Sequence, residues 1–415
     1  MNFERVPEHD MLRDSVREFL ERELPEERIR EMDRARRIPR EIWKRFAQMG
    51  WMGLSVPAEF GGSGADVMTG AVLCEELARR FPSLATDWLL VSMTARVLRE
   101  SGTAAQKAEL LPRLAAGDFL MAFGMSEPGG GTDVLALKTR ARLQGGRWLV
   151  RGQKLYTSFA DDADAILVLC RIDPSESAKR SRGLSLVLTP RQQPAVQVRR
   201  LELMGMRAAC TCEVFLDDAQ APADAIVGEE GAGWQTLLRT LDEERILCAA
   251  MYVGITSAAL DQALQYARDR NAFGRPIGAY QAVQHPLADT AIELEQIRLI
   301  TAKAAWLQSN GQDCATEAAM AKLAASEVAV RATDRCMRVL GGYGMVEASA
   351  MERLFRDARL GPFSPISNEM VRNFVGQSAV RHFGVQLGGR LVRRLARRML
   401  VDARDAGATF DRHDQ

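Results

Sequence analysis

The chain has 415 residues, 47% hydrophobic and 26% charged, and a formal net charge of +1. That length allows two or three domains, and the balanced charge provides no global basic field, so no nucleic-acid partner is expected. Seven scattered cysteines (Cys74, Cys170, Cys210, Cys212, Cys248, Cys314 and Cys336) and only four histidines form no disulfide framework and no metal-ligand pattern.

The N-terminus, MNFERVPEHDMLRD, is charged and lacks a signal-peptide core. Apolar runs such as residues 166–170 are too short to cross a bilayer, so a cytoplasmic location is expected. Residues 8–23 carry Met11, Leu12, Val16, Phe19 and Leu20 at helical spacing. Pro39 opens a second predicted helix that ends near Gly50, and helical pattern returns over 69–78. Pro112 is read as the start of a short helix ending at Gly117.

Between 121 and 230 the pattern changes to short strand-like runs. RWLVRGQKLYTS, AILVLCR, LSLVLTP and TCEVFLD alternate with Gly, Pro, Asp and Ser clusters, predicting a small sandwich- or barrel-like β module. Neither a βαβ alternation nor a GxGxxG after a strand is present, which argues against a Rossmann domain. Cys210 and Cys212 are expected on one strand face, where a redox pair and two inert buried thiols both fit.

Long helices are predicted over 236–269, with Gly254 as an interruption, then over 281–310 and 315–340. The expected organisation is multidomain α+β: an N-terminal helical domain (1–120), a central β domain (121–232), a C-terminal helical bundle (233–380) and a basic tail helix (381–415). In the tail, Leu387, Leu391, Leu395 and Met399 form a stripe flanked by arginines. Docking on the bundle and contact with an acidic partner or a membrane surface both fit that pattern.

The segment Met125-Ser126-Glu127-Pro128-Gly129-Gly130-Gly131-Thr132-Asp133 lets backbone approach a ligand and could form an anion nest, although a flexible turn has the same composition. It resembles the first signature of the acyl-CoA dehydrogenase family. LGGYG (340–344) and RDAR (356–359) resemble the second signature. GQKLYTS (152–158), RRLELMGMRAAC (199–210), GEEGAGW (228–234), LDEERI (241–246) and ARDRNAFGRPIGAYQAVQH (267–285) extend the similarity, in order, over roughly 5–378.

The resemblance implies helical, β and four-helix-bundle domains, a homotetramer or homodimer, and FAD between the β domain and the bundle. Phe123, Met125 and Ser126 then correspond to flavin-ring contacts, and Gly131 and Thr132 to pyrophosphate contacts. Tyr156 stands for the family's tryptophan and Ser158 for its threonine. Arg270, Phe273 and Gln281 resemble the set that reaches the cofactor of an adjoining subunit. Gly342 and Ser367 complete the cofactor set. Arg338 replaces a glutamine, and could meet pyrophosphate or sit on the surface.

The reaction so implied removes a proton alpha to a thioester carbonyl and sends a hydride from the beta carbon to the flavin. In many members the base is a glutamate shortly after the RD signature, and Pro365 stands there in this chain. A subgroup similar to isovaleryl-CoA and long-chain dehydrogenases carries the base on a bundle helix just before an arginine. Glu244, followed by Arg245, matches that pattern. Arg245 and Asp242 then resemble substrate contacts, although a solvated helix turn would also account for DEER. Pro365 lacks the N–H that in the family helps hold the thioester oxygen. The amide of Ile366 replaces it, or polarisation is weaker, or the chemistry differs. The expected substrate is an acyl-CoA or an acyl-carrier-protein thioester, with electron-transfer flavoprotein as acceptor. A flavin monooxygenase and a non-enzymatic flavoprotein are the competing classes.

Overall fold

Helix α1 (Pro7–Glu23) buries Val16, Phe19 and Leu20 on one stripe, as the apolar spacing requires. Helices α2 (Glu26–Ala35) and α3 (Arg40–Gln48) follow, each entered through a proline. The computed structural model describes residues 6–172 and 181–386, and the chain divides into one body ending at Ser367 and a second beginning at Asn368. Helices α4 (Val67–Arg80), α5 (Pro82–Ser101) and α6 (Ala104–Ala115) complete the N-terminal helices. Pro112 does not open a helix. A reciprocal cap between Thr103 and Gln106 starts α6 eight residues upstream of it, and Pro112 lies inside the helix.

Among the described residues, eight strands form one mixed sheet: β1 (Met121–Gly124), β2 (Arg140–Gln144), β3 (Arg147–Thr157), β4 (Ala165–Arg171), β5 (Leu184–Pro190), β6 (Val196–Arg200), β7 (Cys212–Pro222) and β8 (Ile226–Val227). Their order is β6-β7-β3-β2-β4-β5-β8, with β1 parallel to β4. All of β4 except Arg171 is buried, which explains its unbroken apolar run. Cys210 is not in a strand. It precedes β7 at φ +47°, while Cys212 begins that strand.

The helical run expected over 236–269 is two helices, α7 (Gly233–Leu238) and α8 (Leu241–Asp269). Thr240 ends the first by donating its hydroxyl to the Leu237 carbonyl, 2.8 Å away. A hairpin of β9 (Asn271–Ala272) and β10 (Arg275–Pro276) leads to α9 (Gln281–Ser309) and α10 (Ala315–Leu340). Helix α8 has the length and hydropathy of a membrane span, but it is a core helix packed between α4, α9 and α10. Gly254 permits that packing, because a Cβ there would meet the Glu75 carbonyl oxygen at 2.3 Å. Helix α11 (Ala350–Ala358) closes the first body, and α12 (Asn368–Gln386) begins the second. The fold is therefore N-terminal helical, central β and C-terminal helical bundle. The first six residues assigned to a tail helix, 381–386, belong to α12, and the leucine–arginine stripe lies outside the described residues.

Candidate active site

The end of β3 and the loop after β1 are locked together by a buried ion pair. Lys154 is fully buried, and its ammonium lies 2.8 Å from Glu127 and donates to the Met125 carbonyl at 3.1 Å. The other contacts of Glu127 are the amides of Lys138 and Thr139, at 2.6 and 2.9 Å, so its carboxylate closes the glycine loop on itself. Burial alone would raise the Glu127 carboxyl, but Lys154 and these donors outweigh it and hold it below its usual range. Burial lowers the Lys154 ammonium despite Glu127. The Ser126 carbonyl accepts from Leu155 at 2.9 Å, tying the same loop to β3.

This frame sets out most of the residues expected to meet a flavin. Phe123, Met125 and Ser126 are partly exposed, and Gly131 and Thr132 are exposed. Tyr156 sits at φ +60°, beside a register shift between β3 and β7, with its side chain 63% exposed. The Ser158 hydroxyl lies 3.4 Å from that of Thr211. Lys154 and Glu127 were given no role from sequence. Their signal was the alternation of β3, which puts Lys154 on the face of Trp148 and Val150.

Glu244 lies in the first turn of α8. Burial pushes its carboxyl up to about 7, against the opposing pull of Arg245 and Lys322. Lys322, on α10, is fully buried, and its ammonium donates to the carbonyls of Gly361 (3.0 Å) and Ile366 (2.6 Å). One cation thus acts electrostatically on Glu244 and clamps both ends of the segment containing Pro365. Gly361 is packed so closely that a Cβ would meet Tyr252 of α8 at 3.1 Å. Asp242 and Arg245 pair with each other at 3.1 Å. Ser367 directly follows the clamped segment and is the last residue of the first body.

The remaining expected residues occupy the far end of α8. Arg270 and Gly342 line a cleft of about 480 Å³, together with Tyr266, Gly341 and Tyr343. Phe273 is 96% exposed, Gln281 is exposed, and Arg338 is exposed beside Asp334 at 2.9 Å. Residues 244 and 270 are separated by roughly 39 Å along the helix at 1.5 Å per residue. One chain therefore does not bring Glu244 and Arg270 together.

The RD signature is structural in this chain. Arg356 pairs with Asp33 and Glu352 and donates to the Met204 carbonyl. Asp357 accepts from the Met206 amide, and burial pushes its carboxyl up to about 7.

Models of the N-terminal, middle and C-terminal domains of acyl-CoA dehydrogenase match residues 6–118, 122–219 and 231–380. The chain is 34% identical over 383 residues to a probable acyl-CoA dehydrogenase, YngJ, of Bacillus subtilis (strain 168), covering 92% of this chain and 100% of the relative. An acyl-CoA dehydrogenase structure from Geobacillus kaustophilus superposes with a TM-score of 0.87 at 30% identity, over 91% of this chain and all of that one. The prolyl acyl carrier protein oxidase AnaB superposes with a TM-score of 0.85 at 27% identity, also over 91% of this chain and all of that one.

Proposed function

The chain belongs to the acyl-CoA dehydrogenase family, and on that premise we propose that it oxidises an acyl-CoA thioester between its alpha and beta carbons, with Glu244 as the base. The observation that carries the assignment is the place of Glu244 in the first turn of α8, within electrostatic reach of the buried Lys322, where burial raises its carboxyl to about 7. A carboxylate so desolvated is basic enough to take an α-proton at neutral pH. This base placement is that of the isovaleryl-CoA and long-chain type.

FAD fits the surfaces available. A Cβ at Gly129 or Gly131 would meet nothing within 4 Å, leaving backbone open to a phosphate. Tyr156 presents an exposed ring beside Ser158, and Arg270 borders an aromatic-lined cleft. When bound, FAD accepts the hydride that leaves the beta carbon. Phe123, Met125, Ser126, Gly131, Thr132, Tyr156 and Ser158 hold it from one chain, and Arg270, Phe273, Gln281, Arg338 and Gly342 from another, with Ser367 in the cofactor set. Glu244 takes the α-proton onto its carboxylate. Arg245 and Asp242 bind the substrate, and the Ile366 amide donates to the thioester oxygen in place of the amide that Pro365 lacks.

The separation of Glu244 from Arg270 and the exposed Phe273, Ile292 and Leu299 support a homo-oligomer, a tetramer in this reading. A cytoplasmic location and electron-transfer flavoprotein as acceptor complete the proposal. The test is anaerobic mixing of the flavin-loaded protein with a panel of acyl-CoA thioesters. Bleaching of the flavin by at least one supports the reading, and failure of all of them overturns it. The similarity to AnaB favours a second reading, in which the acyl group arrives on a carrier protein. Bleaching by acyl-carrier thioesters alone would select that reading.

A further inference from the structure

Two thiols and a carboxylate converge where the turn after β3 meets the start of β7. The Cys210 thiol lies 3.2 Å from Asp161 Oδ1, and the Cys212 thiol lies 4.0 Å from the same oxygen. All three atoms fall within 4.8 Å of one another. Arg200 holds the other oxygen, Oδ2, through its Nε at 2.6 Å, which leaves Oδ1 turned toward both sulfurs. Asp87, on α5, is 2% exposed, its Oδ1 has no partner, and its carboxyl lies within electrostatic reach of Cys212 and Asp161.

A buried carboxyl oxygen without a hydrogen bond is costly, and it needs either a proton or a cation. Two sulfurs and one carboxylate oxygen from two segments make a three-donor set, with the buried Asp87 carboxyl within electrostatic reach of it. Thiolate donors select a borderline-soft divalent ion over magnesium or calcium. Arg200 plays the part of the outer partner that orients a ligating carboxylate. Arg37, paired with Asp162 next door, and Arg200 supply positive charge to offset the anionic ligands.

We propose that Cys210, Cys212 and Asp161 form a site for a zinc-like divalent ion that braces this junction. Binding replaces the thiol protons with metal–sulfur bonds and releases those protons to solvent. The ion pins residues 159–161 to residues 210–212, a junction also joined by the Phe159 amide donating to the carbonyls of Ala209 and Cys210 and by the Ser158–Thr211 hydroxyl contact. Tyr156 and Ser158 stand on the segment leading into it, so the site braces the end of β3.

The test uses the flavin-loaded full-length protein, purified without chelator and dialysed against zinc and then metal-free buffer. Elemental analysis should find about one zinc per chain. A Cys210→Ser/Cys212→Ser variant should lose at least roughly tenfold of that zinc while retaining its flavin. If that variant does not fold, the wild type decides. Cobalt added in place of zinc should give a near-ultraviolet thiolate-to-metal band, and an organomercurial thiol reagent should release the bound zinc. Zinc below about a tenth of an equivalent with no cobalt–thiolate band overturns the proposal. So does a Cys210–Cys212 disulfide found by non-reducing mass spectrometry of the purified protein.

Discussion

The Lys322 ammonium donates to the Ile366 carbonyl at 2.6 Å, one residue beyond Pro365. Because it also donates to Gly361, a single side chain ties both ends of the 361–366 segment to α10. Lys322→Met should remove both the clamp and a positive charge that favours ionised Glu244. The pH midpoint for flavin reduction should move up by about one unit, with a slower limiting rate. Stopped-flow reduction across pH measures this. A lower melting temperature with an unmoved midpoint would reduce Lys322 to a packing role.

For Glu244, deprotonation is the active form. Flavin reduction should therefore rise with pH through a midpoint near 7, the value to which burial lifts the carboxyl. Glu244→Gln should slow reduction by about 10²–10⁴ while FAD stays bound. A variant that bleaches at the wild-type rate would remove Glu244 from the chemistry.

Lys154→Met leaves the Glu127 carboxylate without its cation, held only by the Lys138 and Thr139 amides, and should cost about 3–5 kcal/mol. Adding Glu127→Gln should recover part of that loss, because no uncompensated charge then remains. Urea unfolding compares the variants, and bound FAD per chain reports whether the glycine loop survives. Equal stability of the single and double variants would contradict a coupled pair.

Gly254→Ala separates intrinsic propensity from packing. In an exposed helix the change gains about 1 kcal/mol. Here the new Cβ would meet the Glu75 carbonyl oxygen at 2.3 Å and Ala78 Cβ at 2.9 Å. The expected result is a loss of about 1–3 kcal/mol, read from urea midpoints. A stabilised variant would mean that α4 and α8 separate easily.

Much of the fold was legible because its signals are local. The alanine-rich run of α10 ends at a glycine, and its bounds are those expected from sequence. The β region declared itself through runs such as AILVLCR, which becomes β4. Helix starts were less legible where two signals competed. Pro112 suggested a first turn, but the Thr103–Gln106 cap lies upstream and leaves the proline a place within an existing helix. The break before α8 depends on one threonine hydroxyl choosing the Leu237 carbonyl, which no periodicity reveals.

Candidate site residues divide in the same way. Glu244 stood out only through the family resemblance, which puts a base just before an arginine here, and through Pro365 standing at the alternative base position. Lys322 did not, although it shares a buried stripe with Ala318, Ala325 and Ala329. A lysine among alanines reads as a surface residue until its partners are known, and those partners are carbonyls 39 and 44 positions away. The cysteine cluster needs two distant segments to converge, so Asp161 gave no sign of it in the sequence.

Helix α8 carries Glu244 at its first turn and leads directly into Arg270. Its 29 residues act as a shaft that fixes both spacing and rotation between the two ends. One inserted residue would turn one end against the other by about 100° and lengthen the shaft by about 1.5 Å. Point substitutions along α8 can be absorbed locally, whereas an insertion or deletion cannot. Tolerance of length change should therefore vanish between 244 and 270, even at positions where side-chain identity matters little.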